Sequence, residues 1–180
     1  MLELVVVAAV VLVGVGMYNS LVRLRERADA AWADIDVQLK RRYDLVPNLV
    51  ETVKGYASHE QETLERVIQA RSAAMSAQGP AAKAEAEGVL TGALKSLFAL
   101  AEAYPQLQAA GGFQQLQGQL SEIEEHIAQA RRYYNAVVRD FNTKTQTFPS
   151  VIIARAFGFA EREFFEMEES ERAAPKVSFD

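Results

Sequence analysis

The chain has 180 residues, a formal net charge of -5, a sequence pI near 5.2 and no cysteine. An acidic chain with no basic stripe beyond Lys40, Arg41 and Arg42 is a poor partner for nucleic acid, and the missing thiols exclude disulfides, cysteine nucleophiles and thiolate metal sites. Alanine, glutamate, glutamine, leucine and arginine dominate the middle of the chain, which is typical of long helices.

The first element is an apolar run from Leu4 to Val22 that only Asn19 and Ser20 interrupt. As a helix this run would be about 28 Å long, close to the ~30 Å hydrocarbon core of a bilayer. A secretory signal peptide is the alternative, but no Lys or Arg precedes the run, its length is excessive, and no small-x-small cleavage site ends it. We expect residues 1–22 to be a retained transmembrane anchor in the lipid bilayer.

Charges on the two sides of the apolar run predict its orientation. Arg23, Arg25 and Arg27 follow the run directly, whereas Glu3 is the one charged residue before it. Because positive flanks stay on the cytoplasmic side, we expect a single-pass protein with its N-terminus outside and its C-terminal domain in the cytoplasm.

The segment Tyr43–Pro47 follows an apolar helical stripe and admits two interpretations. Asp44 can cap a new helix and Pro47 fits the first turn of that helix, which predicts a turn. Alternatively, a kinked helix continues through the proline, because the apolar residues on both sides keep the helical phase. We favour the turn. The stripe before it consists of Leu21, Leu24, Ala28, Ala31 and Ile35.

Three further helices are expected. The second would run from about Leu45 to Gln78, and Gly79–Pro80 would end it and begin a third that stops at Pro105, before a loop through Gly111–Gly112. The fold class predicted is all-α, a transmembrane helix followed by an antiparallel up-and-down four-helix bundle over residues 23–147. The fourth helix has the most regular apolar seam: Leu116, Leu120, Ile123, Ile127, Ala130, Tyr134, Val137 and Phe141.

The tail, residues 148–180, is rich in aromatic side chains, whose exposure to water is unfavourable. They are expected either to pack on the bundle or to form a partner-binding or membrane-proximal surface. Five of them lie within 18 residues: Phe148, Phe157, Phe159, Phe164 and Phe165.

No catalytic, cofactor or metal site is predicted. His59–Glu60 lacks the second histidine of a zinc protease helix, since residue 63 is Thr, and Ile123 stands where a di-metal bundle site would need Glu before His126. The acidic residues Glu122, Glu124 and Glu125 indicate a solvated helix face. We therefore predict no cofactor and no enzymatic activity.

A polar block from Ala31 to Asp44 is the more informative feature. Its charged residues predict either ordinary surface and turn electrostatics or a binding surface at one end of the bundle. The candidate interaction residues are Asp34, Arg41, Arg42 and Asp44 in this block and Phe157, Phe159, Phe164 and Phe165 in the tail.

The stretch Trp32–Glu60 resembles the signature of the LemA family of bacterial membrane proteins. The resemblance continues through Ala99–Pro105, Ala130–Asn135, Phe141–Asn142 and Phe148–Pro149. It extends through Phe157–Phe159 and Pro175–Phe179. Val151 departs from the Asn usual after Pro-Ser, and Gly111–Gly112 replaces a polar loop.

This resemblance implies one transmembrane helix in the bacterial inner membrane, a cytoplasmic helix bundle and no catalytic residues to carry over. It also suggests an association with a membrane-embedded zinc metalloprotease of the HtpX type. We therefore expect a non-enzymatic scaffold or adaptor that forms homo-oligomers. An envelope-stress or signalling component whose bundle switches state is the alternative.

Overall fold

The computed structural model describes residues 1–166, and over these residues the chain is helical without strands. The all-α class is therefore confirmed, whereas the antiparallel four-helix bundle stays a prediction. The helices are α1 (Leu2–Lys54), α2 (Gln61–Ser76), α3 (Pro80–Glu102), α4 (Pro105–Gln108), α5 (Gly111–Gln146) and α6 (Ser150–Ala156).

The chain forms two compact units. Unit 1 comprises residues 1–36 and 129–164, and unit 2 comprises residues 37–128 with the described residues 165–166. The core of unit 1 includes Leu21, Phe141 and Ala154, with Leu24, Ile153 and Phe159 packed against them. The predicted division at residues 22 and 147 stays a prediction.

The turn predicted at Tyr43–Pro47 is wrong, and the alternative of one long helix is confirmed. Pro47 has no amide hydrogen to donate to the carbonyl of Tyr43, four residues earlier, so helix continuation leaves that oxygen without its usual partner. Arg71 of α2 supplies one, donating its Nε–H to the Tyr43 oxygen over 2.7 Å. A tertiary hydrogen bond thus replaces the missing helical one.

Helix boundaries differ from expectation at two further places. The second helix begins at Gln61 rather than near Leu45, because α1 extends to Lys54 and a short non-helical segment follows. Gly111–Gly112 is the first turn of α5 rather than a loop. The predicted start of the third helix at Pro80 is confirmed, with Gly79 before it at a φ of 80°.

The apolar seam of α5 is confirmed by burial. Ile123, Tyr134 and Phe141 are all buried, and Leu116 and Ala130, the two least covered positions, are half-buried. The stripe of α1 is confirmed in the same way. A repeat close to 3.5 residues keeps every member of a seam on the packed face, which is why periodicity predicted the core so well.

Candidate functional site

A buried cluster of charged side chains lies in unit 2. Arg42 of α1 is 1% exposed and Glu87 of α3 is fully buried. Arg42 Nη1 donates to Glu87 Oε2 over 2.7 Å, while Arg42 Nη2 donates to the Thr91 hydroxyl over 2.8 Å and lies 2.7 Å from Glu124 Oε1. The Tyr43 hydroxyl donates to the other Glu87 oxygen. Both carboxylate oxygens of Glu87 therefore have a donor.

The sequence spacing explains how three helices contribute to this cluster. Glu87 and Thr91 are four residues apart on α3, so they lie on one face and both reach Arg42. Lys83, another four residues earlier and only 8% exposed, places its ammonium group 5.8 Å from the centre of the Tyr43 ring. The cluster thus contains two cationic side chains, Arg42 and Lys83, and two carboxylates, Glu87 and Glu124.

Glu124 was predicted to lie on a solvated face, and this is only partly so. Its side chain is 37% exposed and forms an ion pair with a buried guanidinium.

Glu87 was not predicted as a site residue, although its position in the helical pattern indicates burial. Residues 87, 90, 94, 97 and 101 continue one apolar helical stripe, and an acidic residue in phase with a core stripe requires a buried partner.

The charged groups of the cluster pair with one another, since Arg42 forms ion pairs with both Glu87 and Glu124. A buried guanidinium held by carboxylates fixes helix register well but offers no group poised for proton transfer to a substrate. Two buried polar atoms within residues 1–166 lack a hydrogen-bond partner: Arg42 Nε and Gln38 Oε1. Arg42 and Glu124 also line an open cavity of about 380 Å³.

No group of three or more potential metal-ligating side chains occurs among the described residues. His59 is exposed, and His126 lies 3.7 Å from Glu122, four residues earlier on α5. Within residues 1–166, neither histidine therefore belongs to a group of three potential metal ligands.

The predicted interaction residues of the polar block do not share one environment. Asp34, in unit 1, is exposed, as are Arg41 and Asp44 in unit 2. Arg41 and Asp44 line a second open cavity of about 380 Å³ together with His126. Arg42 is buried instead and does not line this cavity.

The predicted aromatic residues are also divided. Phe157 is 62% exposed although its ring centre lies 4.8 Å from that of Tyr18, and Phe159 is half-buried between Tyr18 and Phe141. Phe164 is half-buried and Phe165 is fully buried. The segment through Phe159 therefore packs on its own chain, and Phe157 keeps an accessible face. Residues 167–180 lie outside the described residues.

A set of polar contacts holds the end of unit 1. The Asn142 amide donates to the carbonyl of Arg162 and accepts from its N–H, both over 2.9 Å. Arg162 also pairs with Asp29 over 2.6 Å. The Tyr134 hydroxyl donates to the carbonyl of Glu163 over 2.9 Å, and burial raises the pKa of Tyr134, partly opposed by Arg162.

The N-terminal part of α1 leaves its apolar side chains uncovered. Leu4 and Leu12, for example, are 73% and 72% exposed. Within residues 1–166, α1 is the one helix long and apolar enough to cross a membrane. Large exposed apolar surface of this kind requires a lipid or protein environment.

Comparison with known proteins gives a consistent result. The family model described as "LemA family" matches residues 31–179. The chain is similar to magnetosome protein MamQ of Magnetospirillum gryphiswaldense, with 26% identity over 82% of this chain and 64% of that protein. It is similar to protein LemA of Metamycoplasma hominis, with 28% identity over 88% of this chain and 73% of that protein. The chain thus spans less than two thirds of the length of MamQ.

Proposed function

Because this chain belongs to the LemA family, we propose that it is a membrane-anchored, non-enzymatic scaffold that forms homo-oligomers and organises a membrane partner. The family and the apolar helix support a membrane-associated protein. The scaffold role, the oligomer and the partner, which we expect to be a zinc metalloprotease of the HtpX type, are parts of the proposal.

The observation that carries this proposal is the continuity of α1. One helix, Leu2–Lys54, contains both the exposed apolar stretch and the buried Arg42, which pairs with Glu87 of α3. A protein built in this way would hold a folded surface close to a bilayer, where confinement to one plane raises the effective concentration of each copy. Weak lateral contacts then suffice for assembly.

The relatives' names are compatible with a membrane-associated protein and do not define its role. They state no reaction, and MamQ is named as a magnetosome protein. Because the chain spans 64% of the length of MamQ, any role of that whole protein is only proposed for this chain. We place the N-terminus outside and the remainder in the cytoplasm of a bacterial inner membrane, on the strength of Arg23, Arg25 and Arg27.

Site-specific photo-crosslinking in native membranes tests the scaffold. A crosslinking residue at Asp34, Arg41 or Asp44, all exposed, should trap a second copy or the membrane metalloprotease. The same residue at Glu65, exposed on α2, is the control and should trap neither. If the polar-block positions yield no more of either product than Glu65, the proposed surface is wrong.

Mass measurement of the full chain in nanodiscs tests self-association separately. Several copies in one disc, with subunit exchange at high protein density, would support the homo-oligomer. A strict monomer at all protein-to-lipid ratios would remove it.

The unpartnered buried atoms favour a second candidate function, a signalling component whose bundle changes state. Gln38 Oε1 and Arg42 Nε both lie in unit 2 without a hydrogen-bond partner among the described residues. An unsatisfied buried polar atom costs about 1–3 kcal/mol, so a second packing arrangement that pairs these atoms would be energetically accessible. Amide hydrogen exchange distinguishes the two functions. A bundle that switches between two states would show two exchange rates for the amides around Gln38, and the variant Gln38→Leu would show one.

A further inference from the structure

A basic cavity lies in unit 1 beside the end of the apolar run. Its volume is about 540 Å³, and α1 and α5 both contribute to its walls. The lining includes four cationic side chains, several hydroxyl groups and one carboxylate, Asp140. The cations are Arg23, Arg27, Arg139 and Lys144, and Ser20 and Thr143 are among the hydroxyl-bearing residues.

The helical spacing directs these groups to one place. Arg23 and Arg27 are four residues apart on α1, whereas Arg25 between them lies over the Phe159 ring, 5.5 Å from its centre. On α5, Arg139 and Thr143 have the same spacing and line the opposite wall.

The cations of the cavity are available to a ligand. Within residues 1–166, Arg23, Arg27 and Arg139 form no ion pair with a carboxylate. Lys144 donates to the Ser20 hydroxyl over 2.5 Å, which uses one of the three donors of its ammonium group. Asp140 is the only carboxylate that the described part of the chain contributes to the lining, so the cavity has an excess of positive charge in an otherwise acidic chain.

The position of the cavity points to the membrane surface. Ser20 belongs to the predicted span, and Arg23 follows it directly. Ile153 of α6 lies 3.8 Å from where a Cβ on Gly14 would be, so α6 lies alongside the second half of the span. Phe157 and Ile152 in the same region are 62% and 58% exposed, which provides an apolar surface next to the charged one.

We propose that this cavity binds the phosphate group of an anionic phospholipid, with Ile152 and Phe157 contacting its acyl chains. Arginine forks and hydroxyl donors suit a phosphate diester, and a headgroup at the membrane surface brings its charge to the depth of Arg23. The adjoining apolar side chains favour a lipid over free phosphate, because only a lipid occupies both surfaces. The proposal rests on the membrane anchoring in the proposed function.

Native mass spectrometry of the full chain in mild detergent tests the site, with phosphatidylglycerol and phosphatidylcholine of identical acyl chains as probes. The wild type should bind phosphatidylglycerol at least about tenfold more tightly. Arg139→Gln combined with Lys144→Gln should remove most of this preference and leave phosphatidylcholine binding unchanged. Arg132→Gln, an exposed arginine of α5 outside the cavity, is the matched control and should behave as the wild type.

Three outcomes would overturn the proposal. The first is equal binding of the two lipids by the wild type. The second is a loss of the phosphatidylglycerol preference in the Arg132→Gln control as large as in the cavity variant. The third is displacement of the lipid by millimolar inorganic phosphate, which would indicate a free-anion site. Circular dichroism tests whether the variants are folded. If the double variant Arg139→Gln, Lys144→Gln is not folded, the single variant Arg139→Gln takes its place. Carbonate extraction of membranes reports anchoring separately, so loss of the lipid site and failure of the anchor are distinguishable.

A second measurement tests the apolar half of the site. Phe157→Trp in a Trp32→Phe background makes position 157 the sole indole of the chain. Lipids brominated near the headgroup should quench this indole strongly, whereas Trp32 of the wild type should be quenched much less. Weak quenching at position 157, no stronger than that of Trp32, would place residue 157 outside the bilayer and contradict the proposal.

Discussion

Arg42 illustrates how one residue can connect three helices. Its guanidinium reaches Glu87 and Thr91 on α3 and Glu124 on α5, while being 1% exposed itself. A charge in such a position is stabilising only relative to its own unpaired state, because desolvation offsets most of the Coulomb attraction. Its main effect is to disfavour any helix register in which Glu87 would be buried alone.

The first prediction concerns this pair. Arg42→Met should lower the free energy of unfolding by about 3–5 kcal/mol, because it leaves the Glu87 carboxylate buried without its cation. Arg42→Met combined with Glu87→Leu should recover most of the loss. Chemical denaturation of the full chain in detergent measures both, and the exposed neighbour Arg41→Met should stay within about 0.5 kcal/mol of the wild type. A double variant as unstable as the single one would contradict this account.

The second prediction concerns Tyr134 and pH. Burial raises the pKa of Tyr134 above its ordinary value of 10.0, so the folded state holds the phenolic proton more tightly than the unfolded state. This contribution to stability is complete below pH 10 and is lost as the pH rises through the folded-state pKa. The melting temperature should therefore fall more steeply above pH 10 in the wild type than in Tyr134→Phe. Parallel curves for the two proteins would show that Tyr134 is not the responsible group.

At the scale of elements, α1 shows that a proline need not end a helix. The Tyr43 carbonyl, to which Pro47 cannot donate, accepts a hydrogen bond from Arg71, and the exposed side of the helix accommodates the Pro47 ring. A helix that depends on a neighbouring helix for one of its backbone hydrogen bonds is coupled energetically to that neighbour.

A double-mutant cycle tests this coupling. Arg71→Met should destabilise the wild type by about 1 kcal/mol or more, because the Tyr43 carbonyl loses its donor. In a Pro47→Ala background, Arg71→Met should lower the free energy of unfolding by clearly less, since Ala at position 47 restores the helical N–H donor. Thermal or chemical unfolding of the four proteins gives the coupling energy, and additive effects would exclude the proposed compensation.

The seam of α5 gives the fourth prediction. Ile123 is 8% exposed, and Ile123→Asp should cost about 3 kcal/mol or more through an unpaired buried charge. Gln115→Asp, on the exposed side of the same helix, makes the same chemical change without burial and should be nearly silent. Comparable melting temperatures for both variants would refute the assignment of the seam. Glu124, the next residue along the chain, is unsuitable as a control position because it is paired with Arg42.

For the whole molecule, the exposed apolar end of α1 and the arginines that follow it determine the expected arrangement in a membrane. The absence of cysteine allows this to be tested cleanly. A cysteine introduced at Glu3 should react with an impermeant thiol reagent on intact cells, whereas one at Ser170 should react only after lysis. Labelling of intact cells at position 170 alone would reverse the proposed topology.

The sequence by itself determined the helical class, the apolar N-terminal segment, the seams of α1 and α5 and the resemblance to the family. These features depend on composition and on periods close to 3.6 residues, which are local properties of the chain. Even the ambiguity at Pro47 was visible, since the helical phase continued through it. The choice between turn and helix was not, because it depended on Arg71, which is 28 residues away from Tyr43.

Only the tertiary structure decided which charged residues are surface groups and which are buried partners. Arg41 and Arg42 are neighbours in a basic run, yet the first is exposed and the second is buried against Glu87 and Glu124. Likewise Arg23 and Arg27 become walls of a cavity only because α5 places Arg139 opposite them. Ion pairs and cavities require side chains from distant positions to meet in space, and no periodicity along the chain encodes which ones meet.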